Sequence, residues 1–175
     1  TSGSTDQQGW WVQQKTITVV DPPSPEVMEI TYPSSIVAGE WAEIVVKVRN
    51  NGGISTNAGV SLSVPTFTSS ADVSNAENNG SSSDLTYGES PQGSTIGQRV
   101  GSQITASYLL VEGNDTSWIN GEINYLRVRV KPKAAGNFIF QVRSAMSDVS
   151  GNWYGDPTSG STDQQGWWVQ QKTIT

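Results

Sequence analysis

The stretch WAEIVVKVRN, residues 41–50, sets Ala42, Ile44, Val46 and Val48 on alternate positions against Trp41, Glu43, Val45, Lys47 and Arg49. A period of two sends successive side chains to opposite faces of a strand, so this segment has one apolar face to bury. GVSLSVP repeats the pattern with Val60, Leu62 and Val64 and stops at Pro65, which cannot donate to a ladder. QITASYLLV groups Ile104, Ala106, Tyr108 and Leu110 on one expected strand. INYLRVRVK turns Leu126, Val128 and Val130 inward and Arg127, Arg129 and Lys131 to solvent, and NFIFQVRSA groups Phe138, Phe140 and Val142. No long segment follows a 3.6-residue period, so the expected fold is all-β: antiparallel strands packed face to face as a sandwich.

Two turns follow from local chemistry. Asn50-Asn51-Gly52-Gly53 reads as a turn because Asn and Gly tolerate positive φ. The five residues Pro132 to Gly136 read as the loop of a hairpin between the strands on either side. Residues 68–103 form a long irregular insertion, with short strands expected near 85–87 and 95–100.

The termini carry a second constraint. TSGSTDQQGWWVQQKTIT occupies residues 1–18 and recurs without a change at 158–175. Within WVQQKTITVV, Trp11, Ile17 and Val19 share a parity that Gln13 and Lys15 interrupt, which describes an edge-like strand. The prolines of Asp21-Pro22-Pro23-Ser24-Pro25-Glu26 stiffen the backbone that follows. The expected organisation is a terminal strand over 1–20, equivalent to that of a preceding repeat, then a Pro-rich linker over 21–26. A sandwich over 27–175, closed by the strand 167–175, completes it. Trp10, Trp11, Ile17, Val19, Trp167, Trp168 and Ile174 are expected to pack within that strand or at a junction between modules. Either the parent is a tandem array with a period near 157 residues, or a strand has been duplicated to fill an open sheet edge, as in donor-strand complementation.

Composition excludes several functions. A net charge of −6 without a Lys/Arg run disfavours nucleic acid and anionic membrane surfaces. With no cysteine and no histidine there is no disulfide framework, thiolate nucleophile, imidazole metal site or Ser-His-Asp triad. No apolar run is long enough to span a membrane, and the absence of an initial Met fits an excerpt of a longer polypeptide. Only 15% of residues are charged and Gly, Ser, Thr and Asn abound, a balance associated with extracellular or cell-surface β proteins. Nothing nominates an acid pair for glycoside hydrolysis, so no enzymatic activity is assigned.

The remaining candidates are local. Trp153 and Tyr154, in a Gly/Asn/Asp-rich stretch, are the candidate ligand contacts. Asn79 and Asn114 head glycosylation sequons. Glu112, Asp115 and Asp156 are the acids a loop calcium ion would draw on, but they lack EF-hand spacing and read ordinarily as solvated turn carboxylates. No metal site or cofactor is otherwise assigned.

The segment PSSIVAGEWAEIVVKVRNNGG places Pro33 and Ile36 before Ala38-Gly39-Glu40, then a strand ending at Asn50-Asn51-Gly52. In this it resembles CARDB-like and related immunoglobulin-like modules of bacterial and archaeal cell-surface proteins. Ala135-Gly136 followed by NFIFQVRS is similar to the late strand pair of that family. The resemblance implies an immunoglobulin-like sandwich serving as a non-catalytic spacer or adhesion module. The expected function is therefore a structural repeat of an extracellular stalk, adhesin or filament, joined to neighbours through WWVQQKTIT and the Pro-rich linker. The alternatives are a strand-exchanging fibre subunit and a carbohydrate-binding or adhesive module. Expected partners are neighbouring copies in cis or in trans, or a surface glycan or protein.

Overall fold

The alternating segments divide between two sheets. The structure, a computed structural model, describes residues 4–5, 7–13, 15–65, 85–89, 93–96, 98–104, 108–132, 135–162 and 166–175. Its strands are β1 (Ser4–Thr5), β2 (Trp11–Val12), β3 (Pro25–Thr31), β4 (Ala42–Asn50), β5 (Asn57–Pro65), β6 (Leu85–Glu89) and β7 (Gln98–Ile104). They continue with β8 (Tyr108–Asp115), β9 (Ile123–Pro132), β10 (Phe138–Ser147), β11 (Trp153–Gly155), β12 (Ser161–Thr162) and β13 (Trp168–Ile174). One sheet has the order β3-β4-β9-β6; the other has β12-β13-β10-β5-β8-β7, with β11 also beside β10. This is an immunoglobulin-like sandwich: β3, β4, β9 and β6 take the A, B, E and D places, β5, β10 and β13 the C, F and G places, and β8 and β7 extend the second sheet. The first cassette lies outside both sheets, as the separate pair β1-β2.

The core lies where the two inner faces meet. Ile44, Val46 and Val48 of β4 and Leu126, Val128 and Val130 of β9 face Val60 and Leu62 of β5, Val111 of β8, and Phe140 and Val142 of β10. Tyr32 meets Phe140 edge-on at 5.2 Å between centroids. Burial of such side chains contributes roughly 1.5–3 kcal/mol apiece. The largest buried residue is Trp118, in the β8–β9 connection, where its backbone bridges Ser55.

Three expectations change. The strands flanking Pro132 to Gly136 do not form a hairpin: β9 pairs with β4 and β6, and β10 with β5, β11 and β13. The link therefore crosses from one sheet to the other, and two strands with identical alternation face each other across the core. QITASYLLV is two strands, β7 and β8, which pair antiparallel with Ile104 opposite Leu109. The third change concerns why Asn50 to Gly53 has its residues.

Neither Asn51, Gly52 nor Gly53 has positive φ. The glycines are needed for close approach, because a Cβ on Gly52 would collide with the Pro22 carbonyl oxygen and one on Gly53 with that of Asp21. The Pro-rich segment is thereby fastened to the sandwich: Gly53 N donates to Pro22 O at 2.9 Å and Asn51 N to Ser24 O at 2.8 Å. Buried Asn50 completes the clasp. Its Oδ1 accepts from Ser24 N and Gly52 N, both at 3.0 Å, and its Nδ2 donates to Gly53 O at 2.7 Å and Trp118 O at 3.0 Å. All four hydrogen-bonding positions of the amide are used, which removes the cost of burying it. Beside the clasp, Glu26 accepts from Asn51 at 2.6 Å and from Arg49 at 2.8 Å, and these bonds, Asn51's first, hold its carboxyl below the usual range. Gly53→Ala is expected to lower stability by about 2 kcal/mol or more, as an overpacking substitution does, measured by urea denaturation. An unchanged midpoint would show that the segment detaches freely.

Candidate functional site

The two cassettes have the same sequence and different surroundings. In the second, Ser161 pairs with Val169 and Thr162 with Trp168; in the first, Ser4 pairs with Val12 and Thr5 with Trp11, the same register. Gly9 and Gly166 both adopt φ near 83°, the left-handed conformation that glycine tolerates best. The small hairpin is thus written into the cassette and forms whether or not a sheet lies beside it.

What differs is the strand after the hairpin. In the second cassette β13 pairs with the first half of β10, from Ile174 opposite Phe138 to Gln170 opposite Val142. Thr175 closes the end, donating to Ser34 O at 3.2 Å and accepting from Ile36 N at 2.9 Å. Gln170 reaches across to Val27 O of the other sheet at 3.3 Å. The start of the cassette is held by buried Asp156, whose Oδ2 accepts from Val27 N at 2.8 Å while Oδ1 accepts from the backbone N and hydroxyl of Thr158.

Docking decides which side chains leave water. Ile174 is fully buried and Val169 is 3% exposed, whereas Ile17, the counterpart of Ile174, is 85% exposed. Trp10 and Trp11 are 73% and 77% exposed, and Val19 and Val20 also face solvent. Neither Trp167 nor Trp168 enters the core: Trp168 lies against Gly155, and the Arg143 guanidinium sits 5.5 Å over the Trp167 ring. The tryptophans are thus surface residues in both copies, and the deep anchor of the docked strand is Ile174. Ile174→Ala is expected to cost about 2–5 kcal/mol and Ile17→Ala close to nothing, compared by urea denaturation of the two variants.

Next to the docked strand the outer face of its sheet opens into a cleft of about 300 Å³. Its floor follows from the strand register. Asn114, Gly59 and Ala145 stand in one row across β8, β5 and β10, and Glu112, Ser61 and Arg143 stand in the next. Trp153, half exposed, and Trp167 flank it. Arg143 reaches Glu112 at 3.5 Å.

Of the two expected ligand contacts, Trp153 lines the cleft and Tyr154 serves the β10–β11 turn. Tyr154 Oη donates to Asp148 Oδ2 at 2.9 Å, and Asp148 also accepts from Ser150 N, Asn152 N and the Asn152 amide. Trp167, a cassette residue, is the wall that sequence reasoning placed elsewhere. Arg143 carried no signal beyond strand alternation, and Glu112 stood out only as a calcium candidate.

The calcium candidates are apart in role. Glu112 faces Arg143, Asp115 accepts from Thr116 N at 2.7 Å, and Asp156 is committed to Val27 and Thr158. Among the described residues no group of three His, Cys, Asp or Glu side chains could hold a metal ion. Asn114 borders the cleft, and Asn79 lies outside the described residues. On the opposite sheet, Arg129 stacks 4.3 Å over Trp41 and Arg127 lies 5.3 Å over Tyr125, so the basic stripe is laid on aromatic rings. Among the described residues no helix is long and apolar enough to cross a membrane.

No protein-family model matches the chain, and no curated protein matches its sequence. Among solved structures it is similar to AvmM, described as catalysing macrocyclisation in alchivemycin A biosynthesis, at 16% identity and TM-score 0.47 over 99% of this chain and 94% of that one. It is similar to a cohesin module from a Clostridium perfringens family 33 glycoside hydrolase, at 10% identity and TM-score 0.46 over 89% and 96%. It is also similar to the CARDB domain of a Pyrococcus furiosus protein in complex with di-metal ions, at 14% identity and TM-score 0.41 over 90% and 96%. At these scores none bears on what this chain binds or does; the sandwich rests on its own strand pairing.

Asp148 gives a pH prediction. Its bonds with the Asn152 side chain, first, and the Asn152 backbone pull its pKa from 3.8 down to about 2. A carboxylate whose pKa falls on folding favours the folded turn above its usual pKa and loses that contribution as pH drops through the folded value. The β10–β11 turn is expected to keep its order at pH 5 and to loosen between about pH 4 and 2. NMR of the Asp148 carboxyl and of the Asn152 amide checks this, and a midpoint near 4 would contradict the bonded geometry.

Proposed function

We propose that this chain is a non-catalytic structural module of an extracellular stalk or filament, in which the cassette leading one sandwich is the closing strand of its neighbour. The observation that carries this reading is the contrast between Ile17 and Ile174. One sequence is buried as the G strand of a sandwich and also stands exposed, already folded into its hairpin, ahead of the next.

The geometry supports joining end to end. The Asp21 to Ser24 segment is clasped at the end of the sandwich formed by Asn50 to Gly53 and Trp118. Thr175 bonds to Ser34 and Ile36, past the far end of β3. If the leading cassette filled a neighbour's closing position as 168–174 fills this one, Ile17 would lie at the neighbour's far end. Only three residues, Thr18 to Val20, would separate it from the clasped Asp21, a reach of about 14 Å. Head-to-tail contacts that do not close generate an open filament. The same contact serves modules linked in one chain and separate subunits exchanging strands.

The test is a chain ended at Pro157, which lacks the second cassette and keeps the first. It is expected to associate head to tail with rising concentration, and an excess of a peptide with the sequence of residues 158–175 is expected to return it to monomers. Sedimentation at several concentrations reads both effects. A monomer with the urea midpoint of the full chain would overturn the proposal.

A further inference from the structure

The glycine at position 59 has no packing reason to be there. In the same sheet, a Cβ on Gly113 would press on Ile96 and Leu126 at 3.0–3.3 Å, and one on Gly155 would meet Trp168 Cδ1 at 3.3 Å. A Cβ on Gly59 would meet nothing within 4 Å, and its φ is not positive. A bare position inside a strand weakens it, and a common reason for one is the close approach of a ligand. Gly59 is part of the cleft floor, between Asn114 and Ala145.

We propose that the cleft is a binding site for a pyranose ring of an uncharged glycan, and that Gly59 stays bare so that the ring can lie against the sheet. Trp153 and Trp167 offer apolar aromatic surface to the C–H face of a sugar. Arg143 as donor and Glu112 as acceptor, 3.5 Å apart, offer both halves of what a hydroxyl pair requires, and Asn114, whose Oδ1 accepts from Asp115 N at 2.9 Å, adds its amide NH2 as a donor at the other row. About 300 Å³ is at the small end of ligand pockets and accommodates one or two rings.

A peptide fits less well. β5 is hydrogen-bonded to β8 on one side and β10 on the other along the whole floor, so the floor strand itself offers no open edge to an added strand. The net charge of −6 and Glu112 in the wall disfavour an acidic polysaccharide. Because Trp167 belongs to the cassette, the site is complete only when a cassette is docked.

The full chain, produced without N-glycans because Asn114 borders the site, would be titrated with cellotriose, maltotriose, lactose, mannobiose and chitobiose. Tryptophan fluorescence and saturation-transfer NMR would follow binding. Saturable binding of at least one sugar at millimolar or tighter affinity is expected. Gly59→Val, which fills the floor, and Trp153→Ala should each weaken it at least about tenfold. The urea midpoint of Gly59→Val should hold or rise, since a β-branched residue suits a strand. No saturable binding across the panel would overturn the proposal, as would binding that both variants leave unchanged. Binding of a DPPSPE peptide in place of every sugar would overturn the ligand class. These results are independent of the association of the Pro157-ended chain, because the full chain carries its own docked cassette.

Discussion

Pairing between β13 and the first half of β10 is the contact on which the rest of the molecule turns. It seats Ile174 in the core that holds Phe140, lets Gln170 tie the two sheets together, and holds Trp167 over the Arg143 side of the cleft. Backbone bonds set the register, and burial of one isoleucine makes that register preferable to a slipped one, since a shift of one residue would turn Ile174 to solvent. The identical segment at the other end shows the starting condition, with its hairpin formed and its isoleucine in water.

The clasp at Asn50 complements that contact at the opposite end. A proline-rich stretch in isolation is a semi-rigid spacer, but here its carbonyls are bonded to a turn stripped of Cβ atoms to receive them. Segment and turn behave as one body. Before Asp21, the residues from Lys15 to Val20 are exposed and belong to no strand.

How much of this was legible depended on the range of the interaction. The faces of β4, β5 and β9 followed from alternation, because burial of every second residue leaves a direct mark on sequence. Which sheet each strand joins left none: Leu126, Val128 and Val130 alternate as Phe138, Phe140 and Val142 do, and their assignment to facing sheets depends on partners far away in the chain. Trp118 went unnoticed because it lies in a polar connection without periodicity, and Asn50 because a turn signal masked a buried amide. In the cassette, the expected packing set held Ile174 together with the tryptophans, and nothing local to the sequence separates the buried isoleucine from the tryptophans that stay at the surface. The cleft was invisible for a related reason. Asn114, Gly59 and Ala145 become a floor only when β8, β5 and β10 are aligned.

The placement of Asp21 and Thr175 at opposite ends of the sandwich bears on mechanics. Tension applied between those points runs parallel to β3 and β13 and shears their ladders lengthwise, so many hydrogen bonds share the load at once. A strand pulled sideways from a sheet rim gives up its bonds one after another. A sandwich gripped at these two points is therefore suited to resist stretching, with the Asn50 clasp and the seated isoleucine as its two grips.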